Sequence, residues 1–154
     1  GYYEDKNYYH SLKSLVERLG ISNIIFSDEV FGESKRNKFL ESDIFILPSK
    51  TENFGLVVAE ALSYGLPVIA SENTPWKMIE DKRCGWVVSL NKDDIILSIN
   101  AAKNLSIESL KQMGDNGRML TENKYSWKKL GAEYIEYYHW LNSGGETPGF
   151  VDLF

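Results

Sequence analysis

The sequence has few of the residues that form disulfide bonds or bind metal ions in small proteins. Its single cysteine, Cys84, has no second cysteine for an internal disulfide, which is typical of a reducing compartment. The two histidines, His10 and His139, lie far apart without cysteines or carboxylates at metal-ligand spacing, so we predict no metal site. The sequence also lacks an apolar run of about 18 residues and a signal-peptide pattern, so we expect a cytoplasmic protein.

Basic residues are also in the minority. The 17 Lys and Arg are scattered among 22 Asp and Glu, for a net charge of −5. A protein that follows a nucleic-acid backbone normally presents a basic stripe, so nucleic acid is not an expected partner. With 43% apolar residues in a chain of 154, the composition is that of one soluble domain with a single core.

Apolar residues alternate along the chain between helical spacing and short continuous runs. The spacing predicts helices at 4–19, 34–42, 55–64, 75–80, 92–104, 107–123 and 126–142. The short runs predict strands at 24–26, 44–47, 67–70 and 85–88, each apolar throughout and therefore buried on both faces. This order predicts an α/β fold with a parallel, Rossmann-like sheet flanked by helices, whose ligands bind beyond the carboxyl ends of the strands.

The segment 47–68 joins a predicted strand to a helix through a polar loop. The backbone N–H groups of Phe54, Gly55 and Leu56 lie where that helix starts, a position that suits a diphosphate. Glu52 precedes the helix, so its carboxylate can project into the crevice at the strand ends and accept hydrogen bonds from sugar hydroxyls.

Glu60 is the only charged residue between positions 56 and 62. An unpaired carboxylate against a core is costly, so we expect it to have a hydroxyl or cationic partner. Patterning alone leaves a plainer interpretation open for both glutamates. Glu60 then lies on a solvated face beside Ser63 and Tyr64, and Glu52 only helps to cap the helix.

The spacing of several residues within this segment resembles the signature of a known family. Pro48-Ser49, Glu52, Phe54-Gly55, Glu60-Ala61 and Gly65-x-Pro67-Val68 stand in register. The pattern resembles the Glu-x7-Glu signature of the retaining GT-B glycosyltransferases called group 1 or family 4. The resemblance runs from Gly1 through the closing helix. Thr74-Pro75-Trp76 departs from it, because the family often has Gly-Gly there.

The resemblance implies that residues 1–142 form a C-terminal nucleotide-sugar-binding domain, followed by an irregular tail at 143–154. The first strand or strands and the N-terminal acceptor lobe are then expected upstream of Gly1, and the isolated chain is expected to be inactive. The implied reaction transfers a hexose, with retention, from a nucleoside diphosphate sugar to a glycan or lipid-linked acceptor, without a cofactor. The implied setting is polysaccharide biosynthesis, with the full enzyme peripherally associated with the inner face of the membrane.

The resemblance also implies roles for individual residues. Glu52 is the catalytic residue that contacts the transferred sugar, and Glu60 binds the ribose hydroxyls. The remaining donor-binding residues are Phe54, Gly55, Leu56, Val30 and Ser49, with Val30 lining the base. Two-lobed sugar phosphorylases and nucleotide-sugar epimerases share this architecture, and a non-catalytic nucleotide-binding domain is a further alternative.

The closing helix carries an aromatic stripe whose place in the fold is a separate question. Leu130, Tyr134, Tyr137, Tyr138 and Leu141 fall on one side of it. Such a stripe is more often part of a core than a ligand platform, so we predict that it is buried.

Overall fold

A computed structural model describes residues 5–151, and the chain divides into two compact units, 1–40 and 41–154. The first unit contains α1 (Lys6–Arg18) and α2 (Gly32–Leu40). The second contains β1 (Phe45–Leu47), α3 (Leu56–Ser63), β2 (Val68–Ser71), α4 (Met78–Asp81), β3 (Gly85–Val88), α5 (Lys92–Lys103), α6 (Ile107–Tyr125) and α7 (Trp127–Ser143). Within the described residues each predicted helix is present, with ends displaced by at most three residues.

The first unit lacks the strand predicted at 24–26. Residues 21–31 have no regular structure, and Ile25 is 85% exposed. Phe26 instead packs edge-on against Tyr9, with ring centroids 5.6 Å apart. A strand needs a neighbour with which to exchange backbone hydrogen bonds, and residues 5–40 contain no other strand. The prediction of a strand there was wrong.

The second unit is built on a parallel sheet in the order β1, β2, β3. Phe45 pairs with Val68 across the first strand pair, and Val68 pairs with Gly85 across the second. All four residues of the central strand β2 are buried, as predicted. β1 is only half-buried at each position, and β3 is half-buried at Trp86 and Val87, because each has a single neighbour in this sheet. The predicted burial of these two strands on both faces was wrong. The predicted α/β fold with a parallel sheet is confirmed.

Serine and asparagine side chains begin the last three helices. Asn91 accepts a hydrogen bond from the amide of Asp94 at the start of α5, at 2.8 Å. Ser106 does the same for Ser109 at the start of α6, at 3.1 Å. Ser126 separates α6 from α7 and caps the latter. These caps satisfy amides that have no partner inside the helix, which is why the helices start where they do.

The aromatic stripe of α7 is not part of a core. No residue of this helix is buried, and Tyr134 and Tyr138 are 61% and 64% exposed. The predicted burial was therefore wrong. Within residues 41–151, only the tail approaches the stripe, where Phe150 lines a shallow pocket with Leu130, Tyr134 and Tyr137, and this contact leaves every residue of α7 at least partly exposed. An amphipathic stripe becomes core only when a larger surface lies against it. No helix between residues 5 and 151 is both long and apolar enough to cross a membrane.

Cys84 lies in the turn that leads into β3 and is completely buried. Its amide donates to the carbonyl of Ile79 at 2.9 Å, and its own carbonyl accepts from Val68 at 3.1 Å. Burial raises the pKa of the Cys84 thiol to about 11. The thiolate is the reactive species, so this cysteine is unreactive at neutral pH.

We therefore expect Cys84 to resist labelling by a thiol-reactive disulfide reagent at neutral pH and to react fully once urea has unfolded the chain. Because the folded pKa lies above the unfolded one, the thiol contributes stability that is lost as pH rises from about 9 to about 11. Urea titrations across this range should show a smaller loss for Cys84→Ala than for the wild type. Rapid labelling of the native chain would contradict this prediction.

Candidate functional site

The candidate site lies at one edge of the sheet in the second unit. Because the three strands are parallel, their carboxyl ends meet at the same edge. The β1–α3 loop (residues 48–55) and the β2–α4 loop (residues 72–77) both start there. This is the edge at which open parallel sheets bind their ligands.

Glu52 is held inside the β1–α3 loop by a neighbouring hydroxyl. Ser49 Oγ donates to Glu52 Oε1 at 2.9 Å, and both residues are half-buried. Ser71 Oγ, at the end of β2, donates to the carbonyl oxygen of Ser49 at 2.5 Å. The hydrogen bond of Glu52 therefore goes to the loop and not to an amide of α3, so the interpretation of Glu52 as a helix cap was wrong.

Gly55 shapes the start of α3. It has φ 71° and ψ 56°, the left-handed region that glycine adopts without steric cost. A Cβ atom there would lie 3.4 Å from Trp76 Nε1 and 3.6 Å from Leu47 Cδ2, which are ordinary contacts, so the positive φ and not a lack of space favours glycine. The first helical hydrogen bond runs from the amide of Val58 to the carbonyl of Gly55, at 2.8 Å. A glycine at the N-cap places no side chain over the positive end of the helix dipole, which suits a phosphate.

Three aromatic rings pack behind this turn. The rings of Phe54 and Trp76 have centroids 5.2 Å apart, and each lies 5.4 Å from the ring of Tyr125. Trp76 Nε1–H also donates a hydrogen bond to the carbonyl of Phe54. Sequence reasoning noted Trp76 only as a departure from the family pattern and missed this contact. The available signal was a tryptophan just after a buried strand, at the same edge as the Glu52 loop.

Glu60 has different surroundings from Glu52. It is half-buried on α3 and lines a groove of about 510 Å³ between α3 and the α6–α7 junction. The groove is also lined by Ala59, Ser63, Arg118, Thr121, Glu122, Tyr125, Ser126 and Trp127. Arg118 is held there by Asp115 at 2.7 Å and by the carbonyl of Tyr64 at 3.0 Å. Glu60 therefore shares its groove with hydroxyls and a guanidinium, the partner types expected from the sequence, and Glu52 is not part of its lining.

Val30 belongs to the first unit, where it is half-buried in the segment before α2. Its role at a base-binding site stays a prediction. The other predicted site residues, Ser49, Glu52, Phe54, Gly55, Leu56 and Glu60, belong to the second unit, on the β1–α3 loop and α3. Between residues 5 and 151, no three His, Cys, Asp or Glu side chains cluster closely enough to hold a metal ion.

Comparison with solved structures shows the same fold. Sucrose-phosphate synthase from Thermosynechococcus elongatus superposes with a TM-score of 0.76 at 20% identity, over 90% of this chain and 35% of that one. The C-terminal domain of a glycosyl transferase group 1 family protein from Francisella tularensis gives 0.68 at 22% identity, over 80% of this chain and 65% of that one. The fold is that of the Rossmann-like C-terminal lobe of GT-B glycosyltransferases.

Sequence comparison agrees with this fold. An MMP alpha-(1->4)-mannosyltransferase from Mycolicibacterium hassiacum is 27% identical over 129 residues, which is 82% of this chain and 31% of that protein. The chain spans about a third of the length of several curated relatives that it matches. The family model for glycosyl transferases group 1 matches residues 1–120. The chain thus belongs to the group 1 family of glycosyl transferases.

Proposed function

We propose that this chain is the nucleotide-sugar-binding half of a retaining glycosyltransferase, which transfers a hexose from a nucleoside diphosphate sugar to a glycan or lipid-linked acceptor. The observation that carries the proposal is the juxtaposition of Glu52 with the glycine-initiated start of α3, in a chain of the group 1 family. The Glu52 carboxylate can accept hydrogen bonds from sugar hydroxyls, and the start of α3 favours an anion such as a phosphate.

In this proposal the amides around Phe54, Gly55 and Leu56 hold the diphosphate. Glu52, fixed by Ser49, orients the transferred sugar. Glu60 accepts hydrogen bonds from the ribose, and Val30 lines the base. The protein then accelerates transfer by positioning the donor and by stabilising the charge that develops on the leaving diphosphate, with no cofactor.

The proposed acceptor binds to a further lobe of the full enzyme. The proposed setting is polysaccharide biosynthesis at the cytoplasmic face of a membrane, with which the full enzyme associates peripherally. Hexose transfer is supported by the mannosyltransferase name of the relative from Mycolicibacterium hassiacum.

The two glutamates provide the test, because they are assigned to different parts of the donor. Glu60→Ala should weaken binding of both the nucleoside diphosphate and the complete nucleotide sugar by roughly 1.5–3 kcal/mol, since hydrogen bonds to a charged group are lost. Glu52→Ala should weaken only the complete nucleotide sugar, because its partner is absent from the bare diphosphate. Calorimetry with uridine, guanosine and adenosine diphosphates and their sugars measures both effects.

Glu122→Ala is the matched control, since Glu122 is an exposed carboxylate in the lining of the Glu60 groove without an assigned role. Far-UV circular dichroism should show that all three variants fold. Unchanged affinities in both Glu52→Ala and Glu60→Ala would remove the donor-site assignment. In the full enzyme, Glu52→Ala should abolish most turnover, whereas a non-catalytic nucleotide-binding protein shows no turnover to lose.

A further inference from the structure

Trp76 links the two loops at the carboxyl edge of the sheet. It follows β2, and only 1% of its surface is exposed. Its indole packs against the rings of Phe54 and Tyr125 and donates its N–H to the carbonyl of Phe54. The β2–α4 loop that carries it is fixed by Thr74, whose amide and hydroxyl both donate to the carbonyl of Ser71, at 3.1 and 2.8 Å. The indole therefore has little freedom to turn away from Phe54.

The acceptor of this hydrogen bond is well placed to control a neighbouring donor. The carbonyl of Phe54 and the amide of Gly55 belong to the same planar, trans peptide unit, so they point in opposite directions. Fixing the carbonyl against the indole therefore directs the Gly55 N–H away from it. Gly55 has a positive φ, and glycine populates positive and negative φ about equally, so the unit is free to rotate unless something holds it.

The same pair of loops is joined at a second point. Ser71 Oγ donates to the carbonyl of Ser49, whose hydroxyl in turn donates to Glu52. The β1–α3 loop is thus held by β2 and its loop near both ends, at Ser49 and at Phe54. Glu52 lies between these anchors, and the Trp76 anchor is the one adjacent to the start of α3.

We propose that Trp76 is a positioning residue for the donor diphosphate. By hydrogen-bonding to the carbonyl of Phe54, it keeps the peptide unit between Phe54 and Gly55 in the single orientation that presents the Gly55 amide to a phosphate oxygen. Trp76 does not contact the ligand in this role. The proposal rests on the proposed function, because it assigns the start of α3 to the diphosphate.

The test is Trp76→Phe, which keeps a buried aromatic ring and removes the N–H donor. Binding is measured for two probes, a nucleoside and its diphosphate, with the base that the wild type prefers among uridine, guanosine and adenosine. We expect Trp76→Phe to weaken the diphosphate by roughly threefold to tenfold, the usual value of one hydrogen bond. The nucleoside, which lacks the phosphates, should bind with unchanged affinity.

Trp86→Phe is the matched control. Trp86 lies on β3, half-buried and outside both loops, so its loss of an indole N–H should leave both affinities unchanged. General damage to the fold would weaken nucleoside and diphosphate alike, and that result would overturn the positioning role. An unchanged diphosphate affinity in Trp76→Phe would also overturn the positioning role. If Glu60→Ala weakens diphosphate binding in the same experiment, the donor-site assignment stands without Trp76. A wild type that binds none of the diphosphates would overturn the proposed function and this proposal with it.

Discussion

Replacing Trp76 by alanine is expected to lower the free energy of unfolding by about 3–5 kcal/mol, the usual cost of removing a large buried aromatic side chain. Trp76 is 1% exposed and contacts the rings of Phe54 and Tyr125, so alanine would leave a cavity between two loops and α6. The carbonyl of Phe54 would also lose its indole donor. Urea unfolding followed by far-UV circular dichroism measures the change.

Trp127 provides the control, because it is 88% exposed at the start of α7. Trp127→Ala should change the free energy of unfolding by no more than about 0.5 kcal/mol, as is usual for exposed positions. A loss of unfolding free energy in Trp76→Ala as small as that expected for Trp127→Ala would show that the aromatic cluster does not stabilise the fold. Since a domain is commonly stable by only about 5–15 kcal/mol, Trp76→Ala leaves little margin, and Trp76→Phe is the better variant for ligand binding.

Much of the fold could be predicted because its signals are local. Helical spacing of apolar residues predicts the last three helices, with starts within one residue of those observed after Asn91, Ser106 and Ser126. The apolar runs at β2 and β3 are too short for helices, and they alternate along the chain with helical segments. This alternation favours a parallel sheet. None of these inferences needed to know which distant residues meet.

Two of the wrong predictions, the strand at 24–26 and the buried stripe on α7, share one cause. The run at 24–26 and the stripe on α7 were correctly identified as apolar, but apolarity does not say whether another element covers a segment. A strand requires a partner strand, and a core stripe requires an opposing surface. Residues 5–40 contain no partner strand for 24–26, and no helix or strand of residues 41–151 buries the α7 stripe, so Ile25 and Tyr138 are exposed. Periodicity indicates which side of an element avoids water, not what lies against it.

The candidate site also contains features that local spacing identifies and contacts that only the folded topology brings together. Glu52, Gly55 and Glu60 could be identified from spacing within one loop and helix. The bond between Trp76 and Phe54 joins residues 22 positions apart, and it exists because two parallel strands end at the same edge. The groove around Glu60 depends on α6, whose Arg118 lies far along the chain. Contacts of this kind follow from topology and packing, which the local pattern does not contain.

The contact between α6 and α3 depends on glycine at position 114. A Cβ atom on Gly114 would lie 2.2 Å from the carbonyl oxygen of Gly65, in the turn between α3 and β2. That atom is backbone and cannot rotate away as a side chain could. One turn further along, a Cβ on Gly117 would lie 2.9 Å from Leu62 Cδ2. α6 therefore approaches α3 closely enough to form the groove that Glu60 lines only because these positions carry no side chain.

Gly114→Ala should consequently reduce the free energy of unfolding by at least about 1–3 kcal/mol, because α6 must move off α3 to admit the methyl group. Gly131→Ala is the matched control, since Gly131 is also inside a helix and a Cβ there would meet no atom within 4 Å. Alanine favours helix by about 1 kcal/mol over glycine, so Gly131→Ala should be stabilising. Urea unfolding of both variants compares equal changes in helix propensity and isolates the packing cost. Stabilisation of similar size in both would show that α6 does not pack this closely in solution.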